Sequence, residues 1–262
     1  MKNYDREKLI QRYYSARAQD YDRQKSRTWQ SPRGFGNKVF KEILQGLKGY
    51  NNKSMLEIGV GSGRNAELLL EKINPYLVGL DLSKEMLRAA RSKLAAHRAK
   101  FDLILGSAED SPLINDAFDA ILCISTTHYF SDQEKTLSAI KKLLKTNGVL
   151  IYGDLTKHES DNEEFFENLE RTISKAHSKY YKASEMKGLM EKNGFHVART
   201  TTIGYQKTYD ALIEDKGRYF GVGIAAINKL TQAAASKTRK QYTLTDTGLT
   251  QFYTVISAIR KA

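Results

Sequence analysis

From residue 54 onward, short apolar runs alternate with amphipathic stretches. The runs fall near 54–58, 77–81, 101–105, 118–125 and 148–154, each the length of one buried strand. Apolar residues at helical spacing fall near 65–73, 84–98, 132–145, 159–180 and 184–193. This alternation predicts an α/β fold, a doubly wound parallel sheet with helices on both faces. Ser83 and Ser131 stand where two of these helices need an N-cap, and Gly194 stands where a glycine stop ends another. Segments 195–203 and 251–259, rich in β-branched residues, read as a sixth and a seventh strand. Before residue 54 the pattern differs. Residues 4–24 read as one or two helices, 28–36 as a loop holding Trp29 and Arg33, and 40–47 as a short helix. Residues 212–235 carry Ala and Ile at helical spacing, with Gly217, Gly221 and Gly223 as weak points. The expected layout is a helical N-terminal segment 1–50, a core of 51–204 and 251–262, and a helical insertion 205–250.

The rest is organised around residues 55–65. Met55, Leu56 and Ile58 make a short buried strand, Gly59, Gly61 and Gly63 follow at alternate positions, and a helix begins near Asn65. Glycines let the backbone turn sharply and let a ligand approach it, and the helix start offers free N–H groups. Gly61, Gly63 and Ala66 also fit the G-x-G-x-x-A spacing of dinucleotide sites. Glu57 argues against that, because a carboxylate two residues before the turn suits an ammonium and not a pyrophosphate. Asp81 comes eighteen residues after Gly63, at the end of the second apolar run. An acid there accepts from both hydroxyls of an adenosine-type ribose. A nucleoside with an amino-acid tail and no phosphate satisfies both acids, and S-adenosyl-L-methionine is such a molecule.

These residues resemble motif I of class I S-adenosylmethionine-dependent methyltransferases, in the form E-x-G-x-G-x-G. Gly79, Asp81, Ser83, Met86 and Leu87 resemble the second motif. Gly106 through Leu113, with Phe118 and Asp119, resemble the third landmark. Thr127 through Phe130 and Leu144 through Leu150 complete the series over about residues 55–155. The resemblance is nearest to small-molecule methyltransferases related to ubiquinone and menaquinone biosynthesis. It implies a Rossmann-like seven-stranded sheet of order 3-2-1-4-5-7-6 with the seventh strand antiparallel. It also implies that the segment around Tyr14, Ala18, Tyr21 and Asp22 folds over the cofactor as a lid, with Tyr21 reaching the methionine end or packing the helix down. Glu57, Gly59, Gly61, Gly63 and Asp81 are the implied cofactor positions, with Ala108 giving its N–H to adenine. Ser107 stands where the family often has Asp, so that contact passes to Glu109 or weakens; Glu109 serves equally well as a solvent-facing turn residue. Ser125, at the end of strand four, joins the cofactor set.

Composition narrows the remaining choices. Hydrophobic residues make up 40% of the 262, enough for a core, and no apolar run nears the roughly 20 residues of a membrane span. The start of the chain lacks the apolar stretch of a signal peptide, and the lone Cys123 lies in an apolar run, where it packs. A cytoplasmic location is the expectation, with no Cys/His cluster at metal spacing. Net charge is +12, of which residues 1–50 contribute 12 Lys and Arg against 5 Asp and Glu. That excess, concentrated outside the core, leaves open a nucleic-acid partner or an ordinary solvated surface.

Methyl transfer needs alignment and exclusion of water, and needs a base only where the acceptor loses a proton. His128, just after strand four, is the best proton acceptor near neutral pH, unless it braces its loop. Asp154, after strand five, is the second candidate. The D/N-P-P-Y/F signature of adenine-N6 and amide methyltransferases is absent, the chain reading Ser125, Thr126, Thr127, His128 there. The leading expectation is methyl transfer to oxygen, carbon or nitrogen of a small molecule. An RNA acceptor, a cofactor-binding regulatory protein without turnover and a nicotinamide dehydrogenase are the alternatives.

Overall fold

Strand β1 (Ser54–Ile58) sits near the middle of a seven-stranded sheet because both its faces are apolar. The computed structural model describes residues 3–18, 21, 34–109 and 112–261. The other strands are β2 (Tyr76–Asp81), β3 (Phe101–Leu105), β4 (Phe118–Ile124), β5 (Leu144–Thr156), β6 (Phe195–Thr208) and β7 (Gly248–Arg260). Their order is β3-β2-β1-β4-β5-β7-β6. The first five are parallel, and β7 runs antiparallel to both β5 and β6.

Alternate side chains of each strand enter opposite layers. Met55, Leu77, Leu122 and Ile151 join one core, shared with Val39 and Ile43 of helix α2 (Phe35–Gly46) and Leu69 of α3 (Arg64–Lys72). Leu56, Val78, Ile121 and Leu150 join the other, with Leu137 of α5 (Gln133–Leu143) and Met186 of α7 (Ala183–Lys192). Cys123 is buried in this second core, and burial pushes its thiol pKa up. Helix α4 (Lys84–Lys93) starts at Ser83, whose side chain accepts from Met86 N–H, as expected. Gly194, at φ +83°, closes α7 as a glycine stop.

Several expected boundaries move. The cap of α5 is Asp132, which accepts from Lys135 N–H, while Ser131 instead bonds Glu109. Helix 84–98 stops at Lys93 and continues as a 3-10 turn, Ala95–Lys100. The stretch 159–180 is helical only as α6 (Phe165–Ile173), because the Asp161 carboxylate takes the N–H groups of Phe165 and Phe166 and so starts the helix there. Strands β6 and β7 pair as far as Thr208 and Gly248, which shortens the insertion to 209–247. It holds α8 (Tyr209–Asp215), a 3-10 turn (Gly217–Phe220), α9 (Ile224–Ala233) and α10 (Ser236–Gln241). Leu212, Ile227 and Tyr242 of this insertion pack with Phe166, Leu169 and Tyr180 into a third apolar cluster.

Helix α1 (Asn3–Arg17) lies across the carboxyl ends of the strands. Ile10 packs with Tyr129 and Ala176, and Tyr13 stacks on Phe220 of the insertion. Trp29 and Arg33 lie outside the described residues. Among those described, no helix is long and apolar enough to cross a membrane.

Candidate active site

The site begins where β1 ends. Gly59, Gly61 and Gly63 all adopt positive φ (+72°, +56° and +81°), a conformation costly for other residues. The turn is pinned to the end of β2: Gly59 and Val60 N–H donate to Leu80 O at 2.8 and 3.1 Å, and Gly61 N–H donates to Asp81 Oδ2 at 2.8 Å. Asp81 Oδ1 accepts from Ser83 N–H at 2.8 Å. One carboxylate thus ties the glycine turn to the start of α4. Burial raises the Asp81 pKa, and these backbone N–H groups oppose the rise. A Cβ on Gly59 would stand 2.5 Å from Thr126 Oγ1 and 2.7 Å from its Cβ. With positive φ added to that clash, Gly59→Ala is expected to lower stability by about 1–3 kcal/mol in chemical denaturation.

Glu57 stands behind this turn, 1% exposed and off the cleft wall. Its Oε1 accepts from Asn65 Nδ2 at 3.0 Å, while Oε2 is buried with no partner. Burial pushes its pKa up to about 7, against the pull of Asn65 and Arg64.

The cleft in front of the turn holds about 800 Å³ of unfilled space, counting the part open to solvent, within the size range of small-ligand clefts. Gly59, Gly61, Asp81, Ala108, Ser125 and Tyr21 line it. Gly63 caps α3 and lies off the wall. Ser107 and Glu109 also lie off it: Ser107 Oγ meets Glu7 Oε1 at 3.3 Å, and Glu109 takes the N–H and hydroxyl of Ser131. Helix α1 closes one side, where Gln11 donates to Leu82 O, Ser15 to Glu85 and Tyr14 Oη to Tyr129 Oη.

A second cavity adjoins the cleft. Tyr14, Tyr21, Arg64, Ser125 and Tyr129 line both. Beyond them the second cavity is lined by His128, Asp154, Tyr180, Tyr205, Lys216 and Tyr253, among others. The two candidates for proton transfer are a buried pair: His128 Nδ1 lies 2.9 and 3.0 Å from the Asp154 oxygens. Asp154 also accepts from His128 N–H, Thr127 Oγ1 and Leu155 N–H. Burial drives the Asp154 pKa up, but its contacts with His128 and Thr127 outweigh this and hold it low. Burial lowers the His128 pKa, more than Asp154 raises it. The pair is therefore a carboxylate and a neutral imidazole protonated on Nδ1, with the Nε2 lone pair buried and unpartnered. Ser125, at φ +55°, meets Tyr253 Oη at 2.8 Å beside it.

The sequence reading missed Arg17, Tyr180, Tyr205, Lys216 and Tyr253, which line this second cavity. It also missed the buried His177, whose Nε2 pairs with Glu167 Oε2 at 3.1 Å and whose ring lies 6.1 Å from that of His128.

A doubly wound sheet with a glycine turn after β1 and an acid after β2 defines the Rossmann-like class that binds nucleoside ligands at the carboxyl edge. Within it, residues 56–152 match the family model of the methyltransferase domain. The chain is 28% identical over 186 residues to the demethylmenaquinone methyltransferase of Thermotoga maritima, covering 69% of this chain and 75% of that one. Its fold is similar to that of the YcgJ protein of Bacillus subtilis, with a TM-score of 0.73 at 21% identity over 86% of this chain and 99% of that one. It is also similar to a phosphoethanolamine N-methyltransferase of Haemonchus contortus solved with S-adenosylhomocysteine, with a TM-score of 0.64 at 18% identity over 95% of this chain and 58% of that one. The domain match over residues 56–152 and these likenesses support a class I S-adenosylmethionine-dependent methyltransferase.

Proposed function

We propose that this enzyme moves a methyl group from S-adenosyl-L-methionine to an oxygen, nitrogen or carbon atom of a small molecule, with His128 as the base. The observation that carries this reading is the junction of two spaces. A cleft lined by Gly59, Gly61 and Asp81, with Glu57 behind it, shares Ser125 and Tyr129 with a cavity faced by the His128–Asp154 pair.

The residues present fit this cofactor. The turn leaves room at Gly61, where a Cβ would meet nothing nearer than 4.0 Å, so a ligand can lie on bare backbone. The orphaned Oε2 of Glu57 supplies negative charge just behind that backbone, suited to a cationic tail. Asp81 accepts two N–H groups and has lone pairs left for a pair of sugar hydroxyls. Ala108, Tyr21 and Ser125 complete the cofactor wall in this reading, Gly59 and Gly63 shape the turn, and Ser107 and Glu109 support it from outside. When bound, the sulfonium supplies an activated methyl group.

The chain's own residues do the rest. α1 covers one side of both spaces, through Tyr14, and acts as a lid in this reading. Asp154 fixes the imidazole tautomer, and Nε2 takes the acceptor's proton. The aromatic walls of the second cavity favour a small acceptor over RNA, which the basic N-terminal segment would otherwise attract. Retention of RNA at low salt, falling steeply as salt rises, would count for RNA instead.

Isothermal titration with S-adenosyl-L-methionine tests the reading, with one-to-one binding expected. Asp81→Ala should weaken binding about 10- to 100-fold, the loss of roughly 1–3 kcal/mol from stranded hydroxyls and a loosened turn. Unchanged affinity in that variant would remove Asp81 from the site. Binding without methyl transfer to any small molecule would favour a regulatory protein.

A further inference from the structure

Tyr180 brings to the second cavity a hydroxyl whose proton no described residue takes up. Its ring packs against those of Phe166, His177 and His128, with centroids 5.4, 4.5 and 5.1 Å apart. Its Oη lies 3.4 Å from Lys216 Nζ, and both residues line the cavity, so the hydroxyl is the end that meets it. In that contact the phenol can only accept, because an ammonium has no lone pair. Glu170 does not take the phenol's proton either: its Oε2 bonds Lys216 at 2.6 Å, and its Oε1 makes no hydrogen bond. Burial raises the Tyr180 pKa well above the usual phenol value, so the hydroxyl keeps its proton at neutral pH. A side chain 1% exposed thus holds an O–H donor without an acceptor among the described residues, which is costly unless a ligand answers it.

The same count holds beside the cleft. Tyr14 Oη and Tyr129 Oη share one hydrogen bond at 3.1 Å, which uses one of their two protons. Both residues line the cleft and the cavity, so the other proton is left at the junction. The His128 ring lies 4.0 Å from that of Tyr129 and 5.1 Å from that of Tyr180. One acceptor, the Nε2 lone pair, and two phenol donors therefore gather at one cavity. The hydroxyls of Tyr205 and Tyr253, by contrast, are engaged with Gln251 Oε1 at 2.7 Å and Ser125 Oγ at 2.8 Å.

We propose that Tyr180 selects the methyl acceptor by donating a hydrogen bond to a neutral oxygen, a carbonyl or an ether, that lies a few bonds from the atom to be methylated, while that atom gives its proton to His128 Nε2. This rests on the methyl-transfer reading and adds a specificity-determining residue to it.

The test titrates the full chain, loaded with S-adenosylhomocysteine, with two matched pairs in a calorimeter: meta-hydroxyacetophenone against meta-ethylphenol, and para-hydroxyacetophenone against para-ethylphenol. Within each pair only the ketone has the carbonyl oxygen, and a flat ring suits the aromatic walls. At least one ketone should bind roughly tenfold or more tightly than its ethyl partner. Tyr180→Phe should abolish that preference and keep the affinity for S-adenosylhomocysteine, because Tyr180 lines the second cavity and not the cleft. The packed ring remains in this variant and Lys216 keeps Glu170, so its urea midpoint should be unchanged or higher, as when a buried unmade donor is removed. Equal binding within both pairs, no binding of either ketone, or a preference that survives Tyr180→Phe overturns the proposal. A midpoint well below the parent's marks the hydroxyl as structural and overturns it too. Failure of S-adenosylhomocysteine to bind the unaltered protein would sink the methyl-transfer reading itself. Binding of it without a ketone preference sinks only this inference.

Discussion

His128→Asn is expected to lower kcat by about 10²- to 10⁴-fold, the usual contribution of a positioned general base. Affinity for S-adenosyl-L-methionine should change little, because His128 lines the second cavity and not the cleft. The expectation follows from the buried dyad. Nδ1 is held by Asp154, so only Nε2 can take a proton, and it has no partner among the described residues. The incipient imidazolium is matched by a carboxylate that stays ionised.

The pH profile adds a sign. Burial depresses the His128 pKa below its ordinary 6.5, so the base is free at neutral pH. The acid limb of kcat at saturating S-adenosyl-L-methionine should therefore lie below pH 6.5, and that limb should be absent in the variant. If His128 only braced its loop, the variant would lose stability while keeping kcat and the acid limb.

Glu57→Gln should have opposite effects on stability and on binding. A carboxyl moved from 4.5 to about 7 makes ionisation cost about 3 kcal/mol more in the folded protein than in the unfolded chain. The folded pKa is raised, so the protonated carboxyl's stabilising contribution is complete below pH 4.5 and lost as pH rises through 7. Gln cannot ionise, and its amide oxygen can still accept from Asn65. The ligand-free variant should thus match the parent near pH 4.5 and exceed it by roughly 1–3 kcal/mol at pH 8. Urea melts at the two pH values measure this. Affinity for S-adenosyl-L-methionine should meanwhile fall about tenfold or more, since the negative charge behind the turn that suits a cationic tail is gone. A variant that is both no more stable and no weaker in binding would mean that Glu57 is neutral in the native protein and plays no part in the site.

The two halves of the site were unequally legible in the sequence. The half proposed to hold the cofactor is local. Glu57, Gly59, Gly61 and Gly63 are contiguous, and Asp81 ends the next apolar run, because a parallel strand buried on both faces shows as an unbroken apolar stretch. The same property made the order of the sheet readable through the family resemblance. The second cavity is assembled from α1, the turn after β4, the end of β5, the segment before α7, β6, α8 and β7. Lys216 and Glu170 are 46 residues apart and meet only through the third apolar cluster. No spacing rule reaches across such a distance.

Ser107 and Glu109 show the converse. Their positions in the motif left a ligand contact open, with Glu109 equally a turn residue, and Ser107 meets Glu7 of α1 while Glu109 meets Ser131, contacts made by segments distant in the chain. The helix expected over 159–180 failed for a local reason, since the Asp161 side chain competes for the backbone N–H groups that helix initiation leaves free.

A crystal structure of the protein with S-adenosylhomocysteine is the most direct measurement. The account predicts ribose hydroxyls on Asp81, the amino-acid tail over Gly59 and Gly61 on the Glu57 side, and sulfur at the junction with the His128 cavity. A cleft that stays empty at saturating ligand, or one that instead accepts a pyrophosphate across the same glycines, would contradict it.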